Sequence, residues 1–164
     1  HGIVRVPATS GSAYLRKKRA ATVEGEKGAE PVGSDTIRLY WDATAEGSTL
    51  ALPEGAYDLV GYCFYRTDER GVDWTAASTV QEGTRPDALD VRASTAVDLP
   101  IVPTLFHDLH ATADGPKLDI TFQMRNEAGD RMTLTRNGDL VEPSWVILDD
   151  AGDEEMASGR FVPS

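Results

Sequence analysis

A single cysteine, Cys63, stands among the 164 residues, so no disulfide closes within the chain and stability must come from packing. Its apolar surroundings predict a buried, inert thiol. No run of 18 or more apolar residues occurs, which excludes a helix long enough to span a bilayer. Basic residues are few beside acidic ones: 16 Lys and Arg against 27 Asp and Glu leave a formal net charge of -11. Such a chain repels nucleic acid and anionic membrane surfaces. The imbalance grows along the sequence, from 11 basic and 15 acidic residues in 1–100 to 5 and 12 in 101–164. Also missing are Gly-x-Ser-x-Gly, His-Glu-x-x-His and any Gly-rich loop that could cradle a phosphate. Carboxylates are plentiful, but nothing anchors a pair of them as acid and base, and no catalytic residue is nominated.

Helical periodicity is nearly absent. β-Branched and aromatic residues recur instead in short runs punctuated by Gly, Pro, Asn and Asp, the pattern of an all-β antiparallel fold. Ile3–Val6 reads as a first strand. Residues 7–35, rich in Gly, Ala, Ser, Lys and Glu, read mostly as a long polar loop, with Arg16-Lys-Lys-Arg19 as a solvated charge run rather than a nucleic-acid patch. From Asp35 onward, strands are expected at Thr36–Trp41, Ser48–Leu52, Ala56–Tyr65, Trp74–Val80, Leu89–Ala93 and Thr95–Leu99. Ala56–Tyr65 is apolar on both faces toward its end and should be central, with Tyr57, Leu59, Gly61, Cys63 and Tyr65 together on one face. Pro53-Glu-Gly55 reads as the tight turn of a hairpin leading into it.

Two prolines in Pro100-Ile-Val-Pro103 disfavour an internal strand and mark a boundary. Beyond it, strands are expected at Thr104–His110, Leu118–Arg125, Arg131–Arg136, Trp145–Leu148 and Met156–Val162. In Leu118–Met124 the apolar residues alternate with polar ones, as in a half-buried strand. The expected organisation is therefore two small sandwich units in tandem, 1–99 and 100–164, or one extended unit. The chain begins at His1, which fits a processed mature chain, a fragment or a residual tag.

The run Leu50-Ala-Leu-Pro-Glu-Gly-Ala-Tyr-Asp-Leu59 resembles the L-x-L-P-x-G-x-Y-x-L signature of carboxypeptidase regulatory-like and related prealbumin-like (Cna B-type) β-sandwich modules. Pro143–Asp153 with Ala157–Phe161 looks like the last hairpin of immunoglobulin-like modules in large bacterial envelope or secreted proteins. The resemblance implies a prealbumin-like β-sandwich in 1–99, an immunoglobulin-like β unit in 100–164, and an extracytoplasmic location. It also implies a non-catalytic structural or interaction role beside neighbouring domains or another protein. It carries over no catalytic residue. Cna B-type domains often hold a Lys–Asn isopeptide bond, but Asn126 and Asn137 both stand in turn-like positions and do not support one.

Three chemistries compete with that role. An N-terminal histidine can chelate Cu(II) through its α-amine and imidazole, with a second histidine completing the site, so His1 with His107 or His110 is a copper candidate. His107 and His110, three apart in a strand, would face opposite sides. Asp149, Asp150 and Asp153, with Glu154 and Glu155, gather the hard oxygen donors that calcium prefers, although an acidic turn accounts for the same residues. Asp68, Glu69 and Asp73 raise the same question. Carbohydrate binding would need exposed aromatics on a flat face; the candidates Trp41, Trp74 and Trp145 lie in apolar contexts that predict core packing instead.

Overall fold

In the computed structural model, residues 1–18, 36–43, 48–80 and 89–161 are described. The fold is all-β: no helix occurs among them, and antiparallel sheets pack as layers of a β-sandwich. One layer is small. Gly2–Arg5 (β1) pairs antiparallel with Thr49–Leu52 (β4) and parallel with Ala96–Asp98 (β8), in the order β4-β1-β8. The other layer contains Gly11–Lys17 (β2), Thr36–Trp41 (β3), Gly55–Thr67 (β5) and Asp73–Thr79 (β6), with Thr133–Arg136 (β11) and Asp139–Leu140 (β12) beyond β6. Leu89–Val91 (β7) pairs with the start of β5. Val4, Val6 and Leu52 from the small layer meet Ala13, Leu15, Leu39, Tyr57 and Phe64 from the large one in a single buried cluster. Burying these faces against each other is the main stabilising term, at about 25 cal/mol per Å² of apolar surface.

The Pro53-Glu54-Gly55 turn does not close a hairpin. β4 belongs to the small sheet and β5 to the large one, so the turn carries the chain between layers. Leu52 and Tyr57, on either side of it, are both buried, one from each layer. Three features make the corner. Pro53 fixes its own φ and has no N–H to leave unpaired. Gly55 sits at φ 148°, a backbone region that side chains avoid, with Lys17 close enough to crowd an added Cβ. The Tyr57 hydroxyl reaches back to donate to the Pro53 carbonyl at 2.8 Å. Burial of that phenol pushes its pKa up.

β5 is central, as its composition predicts, but its faces switch midway. Tyr14 pairs with Gly61 and Leu15 with Leu59, leaving Val60 as an extra residue in a β-bulge. Tyr57 is therefore followed on the core side by Tyr62 and Phe64, while Cys63 turns to the outer face and is half-buried rather than buried. Strict alternation cannot anticipate a bulge, which shifts every later side chain to the other face.

Residues 11–17, expected to be loop, form β2, which lies between β3 and β5. Its loop-like composition has a packing cause. Gly11 lies under Trp41, its register partner, and an added Cβ would stand 2.6 Å from both the indole and the Cys63 carbonyl oxygen. Ser12 and Ala13 are likewise fully enclosed. The rest of that expected loop, 19–35 with Arg19, lies outside the described residues, as does Val162 of the last expected strand.

After Pro103 the chain forms two hairpins, each a two-stranded sheet, with only the inner end of the first bridged further, through Arg125 to Arg131 and through the Met132 N–H to the Met124 carbonyl at 2.8 Å, among the described residues. They are Phe106–Asp114 (β9) with Lys117–Arg125 (β10), and Ser144–Leu148 (β13) with Glu155–Arg160 (β14). Between them, β11 joins β6, so residues from both sides of Pro100–Pro103 share one sheet. Asn137 (φ 50°) and Gly138 (φ 89°) form the two-residue turn to β12, a short strand that the sequence pattern does not reveal.

A buried polar group ties the parts together. Asn126, 3% exposed, donates through Nδ2 to the Tyr62 hydroxyl at 2.6 Å and to Asp130 Oδ2 at 3.1 Å. The Tyr62 hydroxyl in turn donates to Asp130 Oδ2 at 2.5 Å, and Asp130 N–H donates to Asn126 Oδ1 at 2.8 Å. An amide suits this place because it offers donors on one side and an acceptor on the other. Asn126→Asp would set a second carboxylate against Asp130 with little water near. Urea unfolding at neutral pH should show a loss of about 3 kcal/mol or more against the parent. The gap should narrow in acid, where one carboxyl takes up a proton. Equal stability at neutral pH would contradict the network.

Candidate functional site

The metal candidates are dispersed or already engaged. The His1 α-amine lies 3.3 Å from Glu54 Oε1 at the β4–β5 corner. His107 and His110 are both exposed on β9; their register partners, Met124 and Thr121, place them on opposite faces of the hairpin. His107 stacks near Phe122, with centroids 6.4 Å apart. Among the described residues no three His, Cys, Asp or Glu side chains form a group able to hold a metal ion.

The acidic turns share one local design. Asp68, Asn126 and Asp149 each begin a tight loop whose fourth residue is glycine: Gly71, Gly129 and Gly152, with φ of 74°, 83° and 77°. In each loop the glycine N–H donates to the carbonyl of the first residue at 2.9 or 3.0 Å, while that residue's side chain accepts backbone N–H groups. Asp68 Oδ1 takes those of Arg70 and Val72, and its Oδ2 takes the Trp74 indole N–H at 3.1 Å. Asp149 Oδ1 takes those of Asp153 at 2.8 Å and Glu154 at 3.2 Å. Asp149 thus closes its own turn, and Asp150 and Asp153 stand exposed beside it.

These donors stabilise the ionised caps. The Val72 N–H first, then the Trp74 indole, hold Asp68 below the ordinary carboxylate range; the Glu154 and Asp153 amides do the same for Asp149. Their folded pKa values are depressed, so the stabilisation is present above the unfolded value near 4 and is lost as pH falls through the depressed values. Amide exchange should therefore show the 149–154 turn protected at neutral pH and opening in acid. Asp149→Ala should open it at every pH, and an unchanged turn in that variant would refute the cap.

The tryptophans divide by environment. Trp41, 6% exposed, joins the core and donates to the Thr9 carbonyl at 2.7 Å. Trp74 is half-buried, with the Arg136 guanidinium 5.8 Å from its ring. Trp145 covers its register partner Gly159, whose added Cβ would stand 2.6 Å from the ring. None is a free platform.

A concave feature among the described residues lies where β10, β11, β12 and the base of the last hairpin meet. It is an open cleft of about 170 Å³, with Phe122, Met124, Leu140, Val141 and Phe161 among its walls and Arg131 and Gln123 at its polar side. Phe122 and Phe161 stack at 5.3 Å across it, linking the two hairpins. Away from the cleft the apolar surface continues uncovered. On β9–β10, Leu109 faces Phe122 in register, Ala111 faces Ile120 and Ala113 faces Leu118, forming one apolar face; Leu109 is 57% exposed and Leu118 45%. On the last hairpin Val146, Leu148 and Met156 are exposed. Eight of the ten large apolar side chains exposed among the described residues fall between Leu105 and Met156. Alternation in Leu118–Met124 foretold an apolar face; that its tip has no cover depends on which strands pair, which local pattern does not encode.

No family model, curated protein or solved structure matches this chain.

Proposed function

We propose that this chain is a non-catalytic interaction module of a bacterial secreted or envelope protein, and that the hairpins of residues 106–160 are its docking surface. One observation carries this reading: the concentration of exposed apolar side chains on two hairpins that each form a sheet of only two strands among the described residues. Isolated two-stranded hairpins are marginal in water, and monomeric proteins seldom leave so much apolar surface uncovered. Free strand edges invite an added strand. The resemblance of Pro143–Asp153 with Ala157–Phe161 to immunoglobulin-like modules of bacterial envelope or secreted proteins supports the setting.

Charge supports the choice of partner. Residues 101–164 carry 12 acidic and 5 basic side chains, with Asp108, Asp114, Asp119, Asp150, Asp153, Glu154 and Glu155 exposed around the apolar faces. The partner is therefore an extended protein segment with alternating apolar residues and Lys or Arg at its flanks. Its apolar side chains enter the cleft beside Phe122, and its charges meet the acidic rim, which sets orientation and association rate more than affinity.

Fluorescence anisotropy with two labelled peptides tests this, both of alternating Leu and Thr, one flanked by Lys and the other by Glu. The Lys-flanked peptide should bind saturably and weaken with salt. Leu109→Asp with Leu118→Asp should reduce that binding about tenfold or more while changing stability by only about 0.5 kcal/mol, because both side chains are exposed. Equal binding of the two peptides, no binding, or self-association of the chain through this face would overturn the proposal.

A further inference from the structure

A second surface, independent of the hairpins, carries three tyrosines, of which Tyr40 is exposed and Tyr14 and Tyr65 are half-buried. On the side of the large sheet facing away from the core, Tyr14 of β2 is the register partner of Arg38 of β3, and Tyr40 follows two residues later on the same face. The Arg38 guanidinium lies 4.3 Å from the Tyr40 ring centre and 4.8 Å from that of Tyr14. Tyr40 is 57% exposed. In the next row Ser12 pairs with Tyr40, and its hydroxyl shares a 2.9 Å hydrogen bond with the Tyr65 hydroxyl.

Beyond these side chains the face is low. Its rows across β5 and β6 carry Gly61, which is buried, Cys63 and Ala77, which are half-buried, and Thr79, which is exposed. Backbone packing fixes the level at Gly61, where an added Cβ would stand 2.9 Å from the Ser78 carbonyl oxygen. Three tyrosines and an arginine thus border a floor of small residues. Two cation–π contacts orient the planar guanidinium while leaving its N–H groups able to donate, so less freedom is lost when it binds.

A sugar ring combines an apolar C–H face with a rim of hydroxyls, which matches tyrosine rings set beside N–H and O–H groups. Charge narrows the class. A net charge of -11 disfavours polyanions, and Arg38 at the centre of the patch disfavours cations. We propose that this face binds an uncharged polysaccharide whose hydroxyls are equatorial. One sugar stacks on Tyr40, Arg38 donates to its hydroxyls, and the chain runs across the floor toward Thr79.

Calorimetric titration of the whole chain with cellohexaose tests the site, with polygalacturonate and oligolysine as charged probes. Cellohexaose should bind saturably, and Tyr40→Ala and Arg38→Gln should each weaken it about tenfold. Leu109→Asp, which alters the other surface, should bind as the parent does. Thermal melts matching the parent confirm that the variants fold, as expected for exposed positions. No heat with cellohexaose, unchanged affinity in Tyr40→Ala, or preference for polygalacturonate or oligolysine would overturn the proposal.

Discussion

The Tyr62 hydroxyl, held between Asn126 and Asp130, is the contact on which the rest of the arrangement depends. The strands β4, β1 and β8 have four, four and three residues, and they cannot cover the core side of a sheet whose central strand has thirteen. The Asn126 turn, with Met132 buried beside it, covers the part around Tyr62. A phenol or amide left unpaired in that place would cost about 1 to 3 kcal/mol, so the three side chains stabilise the fold only when all are present. Through them the chain beyond Pro103 is fastened to the sandwich before it, alongside the β6–β11 pairing.

The same economy of polar groups recurs elsewhere. Asp68 and Asp149 cap their own turns, Tyr57 fastens the Pro53 corner, and Arg5 pairs with Asp98 across the parallel strands β1 and β8 at 2.6 Å. Of the carboxylates that composition marks as candidate ligands, Asp68 and Asp149 are engaged in holding backbone. What remains for recognition is surface: apolar hairpin faces with open edges at one end, and a tyrosine-bordered sheet face on the outside.

Most strands were legible in the sequence because alternation and turn residues are local signals. β10, with Leu118, Ile120, Phe122 and Met124 on one face, is the clearest case, and Asn137-Gly138 marks the turn after β11 without ambiguity. Several features were not legible, each for a reason of tertiary packing. Gly11 and Ser12 resemble loop residues, yet they are small because Trp41 and Tyr65 lie against them. Pro53-Glu54-Gly55 has the composition of a hairpin turn, but whether two strands share a sheet is decided by distant partners. Asn126 begins the same four-residue loop as Asp68 and Asp149, and nothing local distinguishes the buried amide from the half-buried carboxylates. The recurrence of Asp or Asn three residues before Gly was available as a turn signal and pointed away from calcium. The outer tyrosines were hidden because a residue's face depends on register, which the bulge at Val60 further shifts.

A double-mutant cycle with Tyr62→Phe and Asn126→Ala, read by urea unfolding, measures the central contact directly. Coupling of about 1 to 2 kcal/mol between the two positions is expected if phenol and amide act as one unit. Additive losses, with no coupling beyond about 0.3 kcal/mol, would show that the two side chains act separately and that the Asn126 turn does not fasten the chain through Tyr62.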